Sequence, residues 1–291
     1  MIPNRHQAGF TLIEMIVVMV IMGILAGIAS VFIVGPVESY LDTVRRNTLT
    51  GTADLALQRI GRDLQRALPH SVRVTSSGGK TYLEYLVLRT GGSYRTDTTG
   101  ALANDAACTA ASARLDFTLA DTCLRSKGEI PLRSEILSGD FLVIANAGTT
   151  GLNAYENGAI TGGNKARSTA TADPGTGEDS LAFESITLQP PSPGERFHVV
   201  SGPVTYVCDP TGGTLRRYWG YAIQAAQPND TAAAPLSAAS QALIASAVSQ
   251  CAFVLPAIAG THANLVGLSL TLTQNGESAT YYQQAHVTNR P

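Results

Sequence analysis

Gly9-Phe10-Thr11-Leu12-Ile13-Glu14-Met15 opens a run that stays apolar to Val34, so a small residue, an aromatic and one acid head a membrane-length segment. From Met15 to Val34 the residues that are not strongly apolar are Gly23, Ala26, Gly27, Ala29 and Ser30. As a helix rising about 1.5 Å per residue the run spans roughly 30 Å, enough to cross a bilayer once. A cleaved secretory signal has a shorter apolar core, of about 7 to 15 residues. The small-x-small triplet near the far end, Gly27-Ile28-Ala29, lies deep inside the run. Glu14 sets the segment apart from a plain anchor, because a carboxylate costs up to about 2.5–3.5 kcal/mol at the bilayer centre and is functional by default. It needs a partner.

Gly9-Phe10-Thr11-Leu12-Ile13-Glu14, after a short leader carrying Arg5, resembles the class III signal of type IV pilins and pseudopilins. The resemblance implies that a prepilin peptidase cuts after Gly9, removing Met1 to Gly9, and methylates the new amine on Phe10. Glu14 then lies four residues from that cation, one helical turn away. In the family the acid also meets the amine of a neighbouring subunit and sets the register of addition to the filament. Within the run, Gly23 and Gly27 form G-x-x-x-G, a spacing that lets helix backbones approach closely in a bilayer or a filament core.

Gly35-Pro36 predicts a kink or local melting, since proline lacks a donor and clashes with the preceding turn. Beyond it Val37, Tyr40, Leu41, Val44, Leu57, Ile60, Leu64 and Leu68 recur at helical spacing, and Pro69 stops the pattern. Phe10 to Leu68 therefore reads as one long helix, its first half in the membrane and its second half packed on a globular domain. Arg45, Arg46, Arg59, Arg62, Asp63 and Arg66 lie between the apolar positions and read as a solvated face. With 20 Lys+Arg against 22 Asp+Glu, net charge -2, and no interleaved aromatics, the helix does not fit nucleic acid.

The more than 200 residues after Pro69 suffice for one core and read mainly as strand and loop. Tyr82–Leu88 and Phe141–Ile144 are short apolar runs. Val199–Val207 and Leu215–Tyr221 flank the turn Asp209-Pro-Thr-Gly-Gly213. Leu268, Leu270 and Leu272 alternate with polar residues before Asn275-Gly276, which predicts a hairpin with a primed turn. Asn146–Ser180 and Ala225–Ala234 read as surface insertions, and Leu236–Val248 as a short helix entered through Pro235. The fold class is α+β: a long N-terminal helix on a mainly antiparallel β domain.

Four cysteines follow the apolar segment, a usage that suits an oxidising compartment and structural bridges. Of three possible connectivities, proximity and the hairpin favour Cys108 with Cys123 and Cys208 with Cys251. On the chain-entropy model the bridges stabilise by about 3 and about 4 kcal/mol. His6, His70, His198, His262 and His286 are not at metal-ligand spacing. Gly79-Lys80-Thr81 lacks the first glycine of a phosphate loop, with Val74 in its place, and reads as a turn. Asp173-Pro-Gly-Thr-Gly-Glu178-Asp179 does not have the EF-hand spacing and reads as a solvated loop. No catalytic constellation, cofactor or metal is expected.

Three stretches carry a finer resemblance: Tyr40–Arg46, Ala53–Val74 and Phe197–Cys208 are similar to minor pilins of the mannose-sensitive haemagglutinin (MSHA) pilus. That likeness, with a globular domain larger than a major pilin's, implies a low-copy structural subunit at a filament tip or at the start of assembly. It implies as partners the prepilin peptidase, other major and minor pilins, an inner-membrane assembly platform and, before assembly, the lipid bilayer. It also implies a single-pass chain with a cytoplasmic N-terminus and a periplasmic C-terminal domain; the positive charges, Arg5 before the span and Arg45 and Arg46 after it, are nearly balanced. The expected divisions are a leader at 1–9, a membrane or filament-core helix at 10–35, an amphipathic continuation at 36–69 and the β-rich domain at 70–291. A type II secretion pseudopilin shares the leader, and a membrane-anchored periplasmic binding module or hydrolase is the third class.

Overall fold

The computed structural model describes residues 9–96, 107–108, 114–255 and 265–287. His6, His262 and the leader up to Ala8 lie outside them. Among the described residues one α-helix, α1 (Leu12–Gln65), leads into twelve strands: β1 (Arg73–Ser77), β2 (Lys80–Ser93), β3 (Asp121–Arg125), β4 (Phe141–Ile144), β5 (Lys165–Ala172), β6 (Ser180–Ile186), β7 (Arg196–Asp209), β8 (Thr214–Trp219), β9 (Ser240–Ser246), β10 (Val248–Val254), β11 (Leu265–Gln274) and β12 (Glu277–His286). The architecture is α+β, with antiparallel pairing throughout.

Nine strands form one sheet around β7, and β10-β11-β12 form a second. One edge of β7 pairs with β2 along most of its length; the other serves β4 at Phe197–Val200 and β8 at Val204–Asp209. Between those partners sit Ser201, Gly202 at φ +139° and Pro203, which has no N–H to offer a neighbour. Alternation along β7 separates two cores. Phe197 and Val199 face the cluster with Leu124, Leu142, Phe183 and Tyr94, whereas Val204, Tyr206 and Cys208 face α1.

The second half of α1 fills the larger core with Leu49, Ala53, Ala56, Leu57, Ile60 and Leu64, packed against both sheets. At Gly61 a Cβ would stand 3.0 Å from the Gln283 amide nitrogen, so the missing side chain lets β12 approach the helix. Asp63 fixes the docking: its Oδ2 accepts from Tyr206 OH (2.7 Å), Tyr85 OH (3.2 Å) and Arg217 Nε (3.0 Å). Burial, reinforced by Asp63, raises both phenols above their ordinary range, so they stay protonated and donate.

Several expectations are corrected. The helix ends at Gln65 rather than Leu68, because Arg66 to Leu68 turn to pair with β2: Leu68 donates to the Leu86 carbonyl and Leu88 to the Arg66 carbonyl. Of the kink or melting expected at Gly35-Pro36, the melting does not occur, since helical backbone continues through Pro36. Asn146–Ser180 is not one loop, since β5 inserts between β4 and β6 and buries Ala166 and Ser168. Leu236–Val248 is not a helix. A single 3-10 turn (Leu236–Ala238) gives way to β9 and β10, kinked apart by Ala247 at φ +57°, because pairing with β8 and β11 outweighs alanine's helical preference.

The two C-terminal hairpins follow their turn residues. Gln274 pairs with Glu277 across Asn275 (φ +52°) and Gly276 (φ +85°), the two positive angles a primed turn needs. Gly213, at φ +64°, closes the turn between β7 and β8. Disulfides join Cys108 to Cys123 and Cys208 to Cys251, the second linking β7 to β10 and so one sheet to the other.

Two measurements test this core on the full chain in detergent. Asp63→Ala leaves Arg217 unpaired and removes the acceptor of two buried phenols; it is expected to cost about 2–3 kcal/mol, read as a lower urea midpoint with unchanged slope. His198 is 8 % exposed and has no hydrogen-bond partner on either ring nitrogen among the described residues; burial first, and Arg196 second, lower its pKa from 6.5 to about 4. The unfolded chain therefore binds that proton first, and His198 subtracts stability as pH falls from 6.5 to about 4. Burial moves Glu84 the opposite way, against the pull of Arg73, so the comparison is made between proteins. Relative to His198→Leu, the wild type should lose up to about 3 kcal/mol across that window; parallel curves would show that the imidazole does not titrate there.

Candidate functional site

The head of α1 projects from the protein. Every residue from Gly9 to Leu41 is exposed, Phe10 by 78 %. Helix formation begins only at Leu12, and Thr11 caps it with extended backbone (φ -75°, ψ 149°). Its hydroxyl accepts from the Glu14 N–H at 3.3 Å, while a Glu14 carboxylate oxygen accepts from the Thr11 N–H at 3.5 Å. This reciprocal box satisfies donors that the first turn leaves without intrahelical partners. It fixes where the helix starts and leaves the Gly9–Phe10 peptide in accessible, non-helical chain. The pattern Thr-x-x-Glu before an apolar run is legible in the sequence, but the reading above took Glu14 only as the partner of an amine.

Glu14 thus faces local donors, and Phe10 lies four residues before it, outside the helix. Gly23 and Gly27 are exposed on the same rod, with nothing within 4 Å of where a Cβ would stand. The stretch from Leu12 is long and apolar enough to cross a membrane, and its apolar window is not buried in the protein. A helix hydrophobic on all sides and uncovered by its own chain requires lipid or other helices as its surroundings.

Among the described residues no three His, Cys, Asp or Glu side chains gather as metal ligands would. The acidic loop is neutralised within the chain: Asp173 and Asp179 both meet Arg133, and Glu178 meets Arg95. Lys80, next to the glycine pair that turns β1 into β2, forms an ion pair with Asp209 at 3.0 Å. His70, His198 and His286 lie on separate elements. The four cysteines are all in disulfides, so none offers a thiolate. Asp63, read from the sequence as part of a solvated face, is corrected here: it turns inward and its carboxylate accepts from Tyr85, Tyr206 and Arg217. Its three partners lie on β2, β7 and β8, and no local pattern announces them.

No curated protein and no solved structure matches the chain. Residues 4–30 match the model of the prokaryotic N-terminal methylation motif. That motif, heading a membrane-length helix docked on an antiparallel β domain, indicates a protein of the type IV pilin or pseudopilin family.

Proposed function

We propose that the chain is the precursor of a minor pilin of the MSHA type, a structural subunit that enters a type IV pilus and performs no chemistry itself. The observation that carries the reading is the junction at Gly9 to Glu14, where an accessible Gly9–Phe10 peptide precedes a capped, uncovered apolar helix. The leader 1–9 is removed by a prepilin peptidase, which also methylates Phe10. Residues 10–35 then hold the subunit in the inner membrane with the N-terminus cytoplasmic, and later lie in the filament core. Residues 36–69 join that rod to a periplasmic domain, 70–291.

Cleavage changes the electrostatics of the helix head. The Phe10 peptide nitrogen becomes an amine whose cation, four residues before Glu14, competes with Thr11 for its carboxylate. Charge left unbalanced in an apolar medium is costly, so an incoming subunit gains most where its Glu14 and a neighbour's Phe10 amine meet. Gly23 and Gly27 permit close approach of the rods around that contact. The MSHA assignment is supported by the likeness of Tyr40–Arg46, Ala53–Val74 and Phe197–Cys208 to that pilus's minor pilins.

Intact mass and N-terminal peptide mapping of the protein from its native host should give a chain starting at N-methylated Phe10, only when prepilin peptidase is present. A chain that keeps Met1, or is cut near Ala29, would falsify the assembly mechanism. Glu14→Leu should leave leader cleavage largely intact and lower recovery in sheared pili at least tenfold. Normal incorporation of that variant would remove the role of the acid. Recovery in the secretion filament and absence from pili would favour the secretion pseudopilin.

A further inference from the structure

Strand β12 pairs with β11 in one unbroken register, from Leu265 opposite His286 to Gln274 opposite Glu277, and no strand lies on its other side among the described residues. In a hairpin closed by a two-residue turn, Gln274 and Glu277 exchange the first pair of bonds, so every second residue from Glu277 onward bonds to β11. The positions between, Ser278, Thr280, Tyr282, Gln284 and His286, aim their N–H and C=O groups at the free edge. Side chains support this phase: the hydroxyl contacts Thr271–Thr280 (3.0 Å) and Thr273–Ser278 (2.9 Å) fall at the pairs that lie close and share no ladder bond. All five residues are exposed, and their outward main-chain groups have no partner among the described residues.

The other edge strands are blunted. β1 and β3 have 5 residues each, and β9 and β10 are broken by bulges at Ile244 and Ser249. Between Ser278 and Gln284 β12 has no proline, glycine, bulge or charged side chain, the devices that keep an edge from pairing with foreign chains. Geometry then decides between a second copy and another protein. Arg46 of α1 meets Glu277 at the start of β12, and Gly61 faces Gln283 and Ala285 near its end, so helix and strand run side by side in one direction. Two copies joined β12 to β12 in the stronger, antiparallel ladder would point their apolar segments in opposite directions, and one bilayer could not take both.

We propose that β12 takes up an extended, uncharged segment of a different protein as a fourth strand of the small sheet, antiparallel to β12 and held by main-chain hydrogen bonds at Ser278, Thr280, Tyr282 and Gln284. The flanking side chains on β12 are uncharged, so a charge at a facing position of the added strand would have no counterpart. Affinity comes from the ladder, and specificity from the alternate side chains beside Tyr282, which is 61 % exposed. The proposal draws on the membrane-length segment alone and does not require cleavage after Gly9.

The test uses the full chain in its native host, with photoreactive benzoyl-phenylalanine in place of Ser278 or of Gln284, and membrane and sheared-filament fractions analysed by mass spectrometry. Both probes should link to the same second protein, at sites about six residues apart and in reversed order, as an antiparallel strand requires. The same probe in place of Gln250, which is exposed on β10 at the far side of the sheet, should not link to that segment. Thr280→Pro removes only an outward N–H and should lower both yields about tenfold, whereas Thr280→Val keeps the N–H and should leave them within about twofold. An unchanged urea midpoint and an intact Cys208–Cys251 bridge verify the fold; where Thr280→Pro lowers the midpoint, Gln284→Pro takes its place. Links to a second copy of this chain, linked sites without reversed order, no link, or yields indifferent to proline would each overturn the proposal.

Discussion

Asp63 is the point on which the rest of the structure turns. A helix with an uncovered apolar half must be held by its other half alone, and that half inserts Leu57, Ile60 and Leu64 between two sheets. Apolar packing gives strength but little choice of rotation or height, because neighbouring leucines can replace one another with modest loss. One carboxylate that accepts from Tyr85, Tyr206 and Arg217 accepts only one placement. It ties α1 to three successive strands of the larger sheet, and Gly61, two residues earlier, admits β12 of the smaller one.

From that anchor the β domain is built outward along β7, whose length lets it serve β2 on one side and two shorter strands in series on the other. The device allows one strand to contribute to two cores: its N-terminal half lines the cluster around Phe197, and its C-terminal half lines the one under α1. Polar residues taken into this interior are mostly answered. Glu84, fully buried, meets Arg73 at 2.5 Å and Tyr221 OH at 2.8 Å, and Arg73 in turn lies 3.6 Å above the Tyr155 ring.

What the sequence discloses follows the range of the forces involved. The helix, its apolar face, the Asn275-Gly276 turn and the Gly213 turn are set by neighbours in the chain, and each is legible there. Strand β9 is the opposite case: Ser240–Ser246 is alanine-rich and locally helix-compatible, and only β8, far back in the chain, makes it extended. Strand β5 was hidden in the same way by a composition of small polar residues that reads as loop until β4 and β6 flank it. At the candidate site the motif residues Gly9, Phe10 and Glu14 are local and visible. The cap between Thr11 and Glu14 was visible in principle. The Asp63 cluster is long-range and was not.

The bridge from Cys208 to Cys251 has a mechanical meaning once the chain is seen as something to be pulled. Tension entering along α1 passes by side-chain packing into β11 and β12, and by hydrogen bonds into β10. There Cys251 hands the load covalently to Cys208 on β7, the strand around which the large sheet is built. The small sheet is therefore riveted to the large one, and a pull that shears the helix against its bed cannot peel the three C-terminal strands away without breaking a covalent bond.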